Sequence, residues 1–417
     1  MPHRLSHLTL LFCILLLNAV FLMFNALRCF NFHDMCFAID GGWRILNGQR
    51  PYVDFIYFSG PVHLYLYALF FKIFGFGKTA ILAYLLTTSS LMMASIFLLS
   101  SRHLPLVIAS GTTFLTGVSF YWSISHPWHS QTAHLWGVLG IVLLPGRLPF
   151  QNKRMAFWTG MICGWFGLLS FMTKSNIGGA YSLLFFVVLA MTPFSRSAVL
   201  GCLTGFLTEG AVWMMCIAPR EYLRQMLEYS QHRFGLMSQT APLFDNFYWI
   251  PFVIVLTITL PHWKKMKELL AIFTGIFLIA VFTIYSEAIE HRFNIFLWGL
   301  LLTFGFILIY RVREIDKARG RERLWTLAAG ALAGIMLWWT VVAVKYGFEL
   351  KVWAYGGKDP VGDYEIKIPA LQGWRCRRDQ GIALDGLAEY IQAHVPSGKT
   401  LLVGDRHANS VCLDPAR

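Results

Sequence analysis

Apolar runs long enough to cross a bilayer recur along most of this chain, and that constrains it more than any single motif. A hydrocarbon core takes about 20 apolar residues per helical crossing. Runs near that length lie at 8–27, 79–100, 104–122, 131–145, 156–173, 177–193, 197–218, 247–260, 269–285, 293–310 and 324–345, those at 131–145 and 247–260 being short. Without water in the bilayer core, each run must satisfy its own backbone, so each is expected to be a helix. The expected fold is an all-α polytopic membrane protein with about eleven transmembrane helices over residues 1–345. A small α/β segment, 346–417, follows. Composition agrees: 56% of the 417 residues are hydrophobic, 14% are charged, and there are 35 Phe and 15 Trp. The first run is too long for a cleaved signal and lacks a small-residue cleavage site, so it reads as a retained span.

The basic residues set the orientation. With the N-terminus inside, the cytoplasmic loops are 1–7, 101–103, 146–155, 194–196, 261–268 and 311–323, and they carry the clusters WKKMK and RVREIDKARGRER. This alternation satisfies the positive-inside rule. It also accounts for much of the net charge of +13 without invoking nucleic acid. The opposite side then collects the first loop (28–77), the 123–130 loop, Lys174, the 219–246 loop, the 286–292 loop and the tail. In the tail, Ala383–His394 reads as a helix, Pro396-Ser397-Gly398 as a turn and Thr400–Val403 as a strand. That unit is too small for a large catalytic domain and is expected to pack on the membrane part. No internal repeat is evident.

The first loop, from Asn31 to Pro61, is the most distinctive stretch. It holds Asp34, Asp40 and Asp54, a short helical pattern Ala38–Leu46 stopped by Asn47-Gly48, and an extended reading for Pro51–Phe55. Residues 62–76 read as an aromatic helix lying at the interface. Asp34, preceded by His33, suits a general base shielded from bulk water, or else a helix N-cap. Lys174, in FMTKSNIGG, can hold a phosphate as a point charge, or else snorkel to the interface. His126 and His129 flank Pro127-Trp128. They can bind a phosphate, are a weak metal signal, and are also ordinary interfacial anchors. In SEAIEHRF, Arg292 can fork onto phosphate, while Glu287 and Glu290 offer it a local ion pair. Glu209 is the one Asp, Glu, Lys or Arg deep inside an expected span, a costly placement that points to function, or to a hydrogen bond with a neighbouring helix. The 219–246 loop is amphipathic and reads as lying on the membrane surface, or closing over a lipid. There is no P-loop, no dinucleotide fingerprint and no serine elbow. An enzyme working outside therefore needs a substrate already activated in the membrane.

Three segments carry a resemblance. Asp34…Gly41-Gly42-Trp43-Arg44-Ile45-Leu46-Asn47-Gly48-Gln49-Arg50-Pro51-Tyr52-Val53-Asp54-Phe55…Gly60-Pro61, with Phe74-Gly75, resembles the first outer loop of GT-C polytopic glycosyltransferases. The nearest group is the bacterial relatives of protein O-mannosyltransferase and of the lipid A aminoarabinose transferase. Gly167-Leu168…Thr173-Lys174-Ser175-Asn176-Ile177-Gly178 and His291-Arg292-Phe293 are similar to two further patterns of that group. The resemblance implies sugar transfer from a polyprenyl-phosphate carrier to a glycan, lipid or protein acceptor, at the outer face of a bacterial inner membrane. Asp34 would be catalytic, and Lys174 and Arg292 would hold the carrier phosphate. His33, Asp54, His126, His129, Glu209 and Glu290 would support the site. No cofactor is required, and a divalent metal is compatible, since some of the group use one. The chain departs from better-known members at Asp34, where Met35 follows instead of a second acid, and in its short tail. The rival readings are a transporter or flippase of a lipid-linked saccharide, with Glu209 coupling, and an inactive assembly subunit.

Overall fold

A computed structural model describes residues 2–28, 32–121, 126–234, 249–286, 297–317, 322–349, 362–394, 401–403 and 411–413. Every apolar run read from the sequence coincides with a helix. In chain order they are α1 (Pro2–Arg28), then α2 (Phe32–Leu46) and α3 (Val62–Phe74) of the first loop, α4 (Lys78–Ser100), α5 (Leu106–Phe120), α6 (His129–Leu143), α7 (Lys153–Phe171), α8 (Ser175–Ala190) and α9 (Ser195–Cys216). There follow α10 (Pro219–Phe234), α11 (Trp249–Thr259), α12 (Trp263–Ser286), α13 (Trp298–Asp316) and α14 (Glu322–Glu349). Helices α1, α4, α9 and α14 and the α11–α12 stretch are long and apolar enough to cross a membrane, while α5 and α8 are apolar but shorter.

Many hydroxyl groups inside these helices donate to a carbonyl of the preceding turn, which satisfies them in an apolar surrounding. Thr113 donates to Ala109 O at 2.7 Å, Thr116 to Thr112 O at 2.8 Å and Thr303 to Gly299 O at 2.7 Å. Burial sorts the helices by position. From Trp298 to Ile309, α13 is buried on every face and runs through the middle of the bundle. By contrast, α9 and α14 keep one face of large apolar residues uncovered, as helices facing lipid tails do. Helices α7 and α9 approach most closely. A Cβ on Gly160 or Gly164 would strike the carbonyls of Ala198 and Cys202, and one on Gly201 or Gly205 those of Phe157 and Met161. This is small-residue packing, where bare backbones make the contact and dispersion holds it.

Two local readings need correction. Helix α2 begins at Phe32, not Ala38, because the buried Met35 and Ala38 extend its packed face back by one turn. Asp34 thus lies within the first turn and not in a loop ahead of it. The segment Pro51–Phe55 is a turn, not an extended stretch. Asp54 Oδ2 accepts from Arg50 N at 2.6 Å, Tyr52 N donates to Phe55 O at 2.9 Å, and Tyr52 takes a left-handed φ of 69°.

The tail forms β1 (Tyr364–Glu365) paired antiparallel with β2 (Arg375–Cys376), a helix α15 (Arg378–His394), and a second ladder of β3 (Leu401–Val403) with β4 (Val411–Leu413). It is docked on the first loop. Trp374, Ile366 and Cys376 share a buried cluster with Met35, Ala38, Tyr67, Phe71 and Tyr84. Trp374 Nε1 donates to Ala26 O at 2.6 Å, Gly362 N to Arg28 O at 3.0 Å, and Lys78 Nζ to Gln372 O at 2.7 Å.

Candidate active site

The first loop is sewn to the start of α8 through backbone. Gly60 N donates to Thr173 O at 3.1 Å and Val62 N to Met172 O at 3.1 Å, while Ser59 Oγ donates to Thr173 O at 2.8 Å. The approach is so close that a Cβ on Gly60 would overlap the Met172 carbonyl, so glycine is needed here on spatial grounds. The next residue after this seam is Lys174. It precedes the first turn of α8, is 6% exposed, and donates from Nζ to Ser130 Oγ at 2.7 Å.

Ser130 belongs to the first turn of α6, directly after His129. Around it lies a buried group of rings. Trp128 and His129 have centroids 4.0 Å apart, Phe58 and His129 5.7 Å, and His63 and His129 6.1 Å. His126 meets the edge of Trp128 at 6.0 Å. Phe37, three residues beyond Asp34 on α2, meets Phe58 at 5.4 Å. A continuous set of contacts therefore leads from α2 through Phe58 and His129 to Ser130 and Lys174. Helix α2 itself is pressed against α3: a Cβ on Gly42 would meet Tyr67 and the Ala68 backbone.

His63 is fixed by its other nitrogen. Its Nδ1 lies 3.0 Å from Tyr84 Oη, which lies 2.9 Å from Thr132 Oγ1. Tyr67 Oη donates to Pro127 O at 2.9 Å and so ties α3 to the histidine loop. Burial, and then the neighbouring His126, lower the His63 pKa to about 3, so its ring is neutral at ordinary pH. Asp40 is engaged with Arg44 at 2.7 Å, and Arg44 also donates to Gln49 Oε1 at 3.1 Å. Burial raises the Asp40 pKa above the usual carboxylate range, although Arg44 pulls it down.

Helix α10 is a lid on this loop and does more than lie on the membrane surface. Gln225 Nε2 donates to Tyr52 O at 3.0 Å, its Oε1 accepts from Tyr57 N at 3.3 Å, and Tyr222 packs edge-on against Tyr52 at 5.0 Å. Tyr65 Oη donates to Cys216 O at 3.1 Å just before it.

The sequence candidates divide accordingly. His126, His129 and Lys174 come together with the helix that carries Asp34. The side chains of His33 and Asp34, and all of Glu290 and Arg292, lie outside the described residues. Asp54 stands apart from the ring cluster as an exposed turn-closing acid with Arg50. Glu209 accepts from Trp213 Nε1 at 3.1 Å, one turn along its own helix and not across to another. Trp213 in turn meets Tyr65 of α3 at 5.8 Å. Sequence reasoning missed His63, Ser130, Thr132 and Tyr84. A signal existed: His63 is a polar interruption of an aromatic helix, and Ser130-Gln131-Thr132 opens a supposedly apolar span. Among the described residues no group of three or more His, Cys, Asp or Glu is placed to hold a metal ion.

No protein-family model matches this chain, and no curated protein matches it by sequence. Among solved structures, ArnT from Cupriavidus metallidurans in the apo state superposes with a TM-score of 0.50 at 13% identity, covering 98% of each chain. The same protein bound to undecaprenyl phosphate gives 0.48 at 13% identity, over 99% of this chain and 98% of that one. An Archaeoglobus fulgidus oligosaccharyltransferase in complex with zinc and sulfate gives 0.47 at 12% identity, over 92% of this chain and 56% of that one. The likeness to apo ArnT is a likeness of fold.

Proposed function

We propose that the chain is a membrane glycosyltransferase that moves a sugar from a polyprenyl-phosphate carrier to an acceptor at the non-cytoplasmic face, with eleven crossings and the N-terminus inside. One observation carries the reading: a buried lysine, Lys174, set on Ser130 at a helix start and roofed by the first loop. A buried ammonium is a compact point charge suited to holding phosphate, and a carrier phosphate is the ligand we assign to it. The N-terminal turn of α8 adds its own partial positive charge at the same point. The GT-C-type fold gives this arrangement a context in which a lipid-borne donor enters from the membrane.

The reaction balances without a redox or nucleotide partner. Asp34 takes the acceptor proton as the acceptor atom bonds to the anomeric carbon. The bond from that carbon to the phosphate oxygen breaks, and its electron pair leaves with the polyprenyl phosphate. Lys174 and Arg292 offset the charge that develops there. The ring cluster of Phe58, Trp128 and His129 supplies flat apolar surface against which a sugar face can lie, with neutral His63 behind it. Every bond-making step uses side chains of the protein, and none is routed through a metal.

The test is transfer of labelled sugar from polyprenyl phosphate in membranes, with carrier binding measured separately. Asp34→Asn is expected to lower turnover by about 10²–10⁴-fold, the usual worth of a positioned base, with binding nearly intact. Normal transfer by Asp34→Asn ends the catalytic assignment. Loss of function in Glu209→Gln, with Asp34→Asn unaffected, would favour a transporter instead.

A further inference from the structure

At the far end of the bundle from Lys174, α4 and α6 run out into turns. Helix α6 alone has 15 residues, about 22 Å of helix, so the two ends are well separated. A cavity of about 300 Å³ opens at this far end. It lies between the turn at His103, the Pro145–Pro149 turn, the break in α12 at Met266 (φ −139°, ψ 24°) and the last turns of α13. Its walls are apolar, with Leu148, Leu269 and Ile307 among them, while Lys265, Arg311, Glu268 and Glu314 stand around it.

The charges at this cavity do not all cancel locally. Glu314 lies 3.4 Å from Arg311, and Glu268 lies 3.9 Å from Lys267, so each acid has a base on its own helix. Among the described residues, neither Lys265 nor Arg102 has a carboxylate within 4.0 Å. Arg102 reaches across to Gly146, the residue after Pro145 of the cavity wall. A second observation is independent of these charges. His103 lines the cavity, and its Nε2 is buried with no hydrogen-bond partner among the described residues. A buried polar atom of this kind is costly unless something bonds to it. The space is roughly tenfold the ~30 Å³ share of a single water, and its apolar walls carry a rim of mixed charge on which Lys265 is the base without a carboxylate of its own among the described residues.

We infer that this cavity binds the phosphate headgroup of an anionic membrane lipid, with the phosphate between Arg102 and Lys265, a hydrogen bond from His103 Nε2, and the first acyl carbons against Leu148 and Leu269. Burial, with Arg311 and Arg102 nearby, lowers the His103 pKa, with Glu314 opposing. The bound lipid would wedge the broken helix α12 against α13 at the basic end of the bundle, away from the proposed chemistry.

The experiment is native mass spectrometry of the full chain in detergent, titrated with phosphatidylglycerol or with phosphatidylcholine, for the natural protein and for Arg102→Ala/Lys265→Ala. Both replaced side chains are exposed, so the variant should fold. Saturable binding of phosphatidylglycerol over phosphatidylcholine, weakened about tenfold or more in the variant, is the result expected for two charged phosphate contacts. Equal retention of both lipids, or undiminished binding in the variant, overturns the proposal. Inorganic phosphate separates the sources of the same chemistry. If millimolar phosphate displaces the lipid and binds alone with the same dependence on Arg102 and Lys265, the site belongs to a free phosphate and the lipid assignment falls. Wedging is read by exchange of amide hydrogens over 260–270, which should slow on adding phosphatidylglycerol and not in the variant.

Discussion

The two ends of the helical bundle use charge in opposite ways. At the end covered by the first loop, Lys174 is buried and its neighbours are histidines, hydroxyls and aromatic rings, knitted by backbone bonds at 3.1 Å. At the other end most of the described cations are exposed, and Arg311 pairs with Glu314 three residues along its own helix. An exposed pair of this kind contributes about 0–1 kcal/mol and can be exchanged freely. A buried cation is tolerated only where its surroundings are built for it. The contrast teaches where to look for chemistry: in the sparse buried charges, not in the clusters that dominate the net charge.

That contrast can be broken at its strongest point first. Gly60→Val should push the first loop off the Met172 carbonyl. Overpacking of this kind costs about 1–3 kcal/mol, and a displacement of roughly 1 Å at a reacting centre costs about 10²-fold in rate. Thermal unfolding and sugar transfer should both fall, and an unchanged rate would show that the seam does not position the site. Lys174→Ala should weaken carrier binding by ~1.5–3 kcal/mol, the range for a charged hydrogen bond, while Ser130→Ala should cost less. Binding isotherms on purified protein decide this, and equal affinity in Lys174→Ala would remove the phosphate role.

A smaller effect concerns pH. His63 has its folded pKa depressed to about 3 from 6.5. Between these values the unfolded chain binds more protons than the folded one, so stability is full above about pH 6.5 and declines as pH falls toward 3. Replacing His63 by Phe should flatten the denaturation midpoint across that window, and a slope that persists would assign the proton uptake to other groups. The smallest effect belongs to the exposed end. Lys264→Gln with Arg313→Gln should change stability by no more than about 0.5 kcal/mol. A reporter that works only outside the cytoplasm should stay silent when fused at residue 317 and act when fused after residue 50. Activity at residue 317 would reverse the orientation of both ends.

Much of the fold could be read in the sequence because helices in lipid obey one rule, and that rule is about run length. The runs at 131–145 and 247–260, though short, coincide with α6 and α11. Interhelical pairing was less legible. The Gly160, Gly164, Gly201 and Gly205 contacts between α7 and α9 depend on which faces meet, and no run length encodes that. At the site, Lys174 and the two histidines of 126–129 stood out as polar groups in apolar company. His63 did not, since one polar residue in an aromatic helix looks like an interfacial accident until Tyr84 and Thr132 are seen beside it. The extended reading of Pro51–Phe55 failed because Asp54 bonds back to Arg50, and local side-chain competition of that kind overrides strand propensity.

The bond from Trp374 to Ala26 joins residues separated by 348 positions. At synthesis rates of about 5–20 residues per second, roughly 20–70 s pass between the emergence of the first helix and that of its clasp. Throughout that interval the face of α2 and α3 that Ile366, Trp374 and Cys376 will cover is bare. The floor beneath the first loop is therefore finished near the end of assembly, and a chain stalled within its last helices would carry every ring of the cluster around Lys174 yet lack the brace that holds α2 at its station.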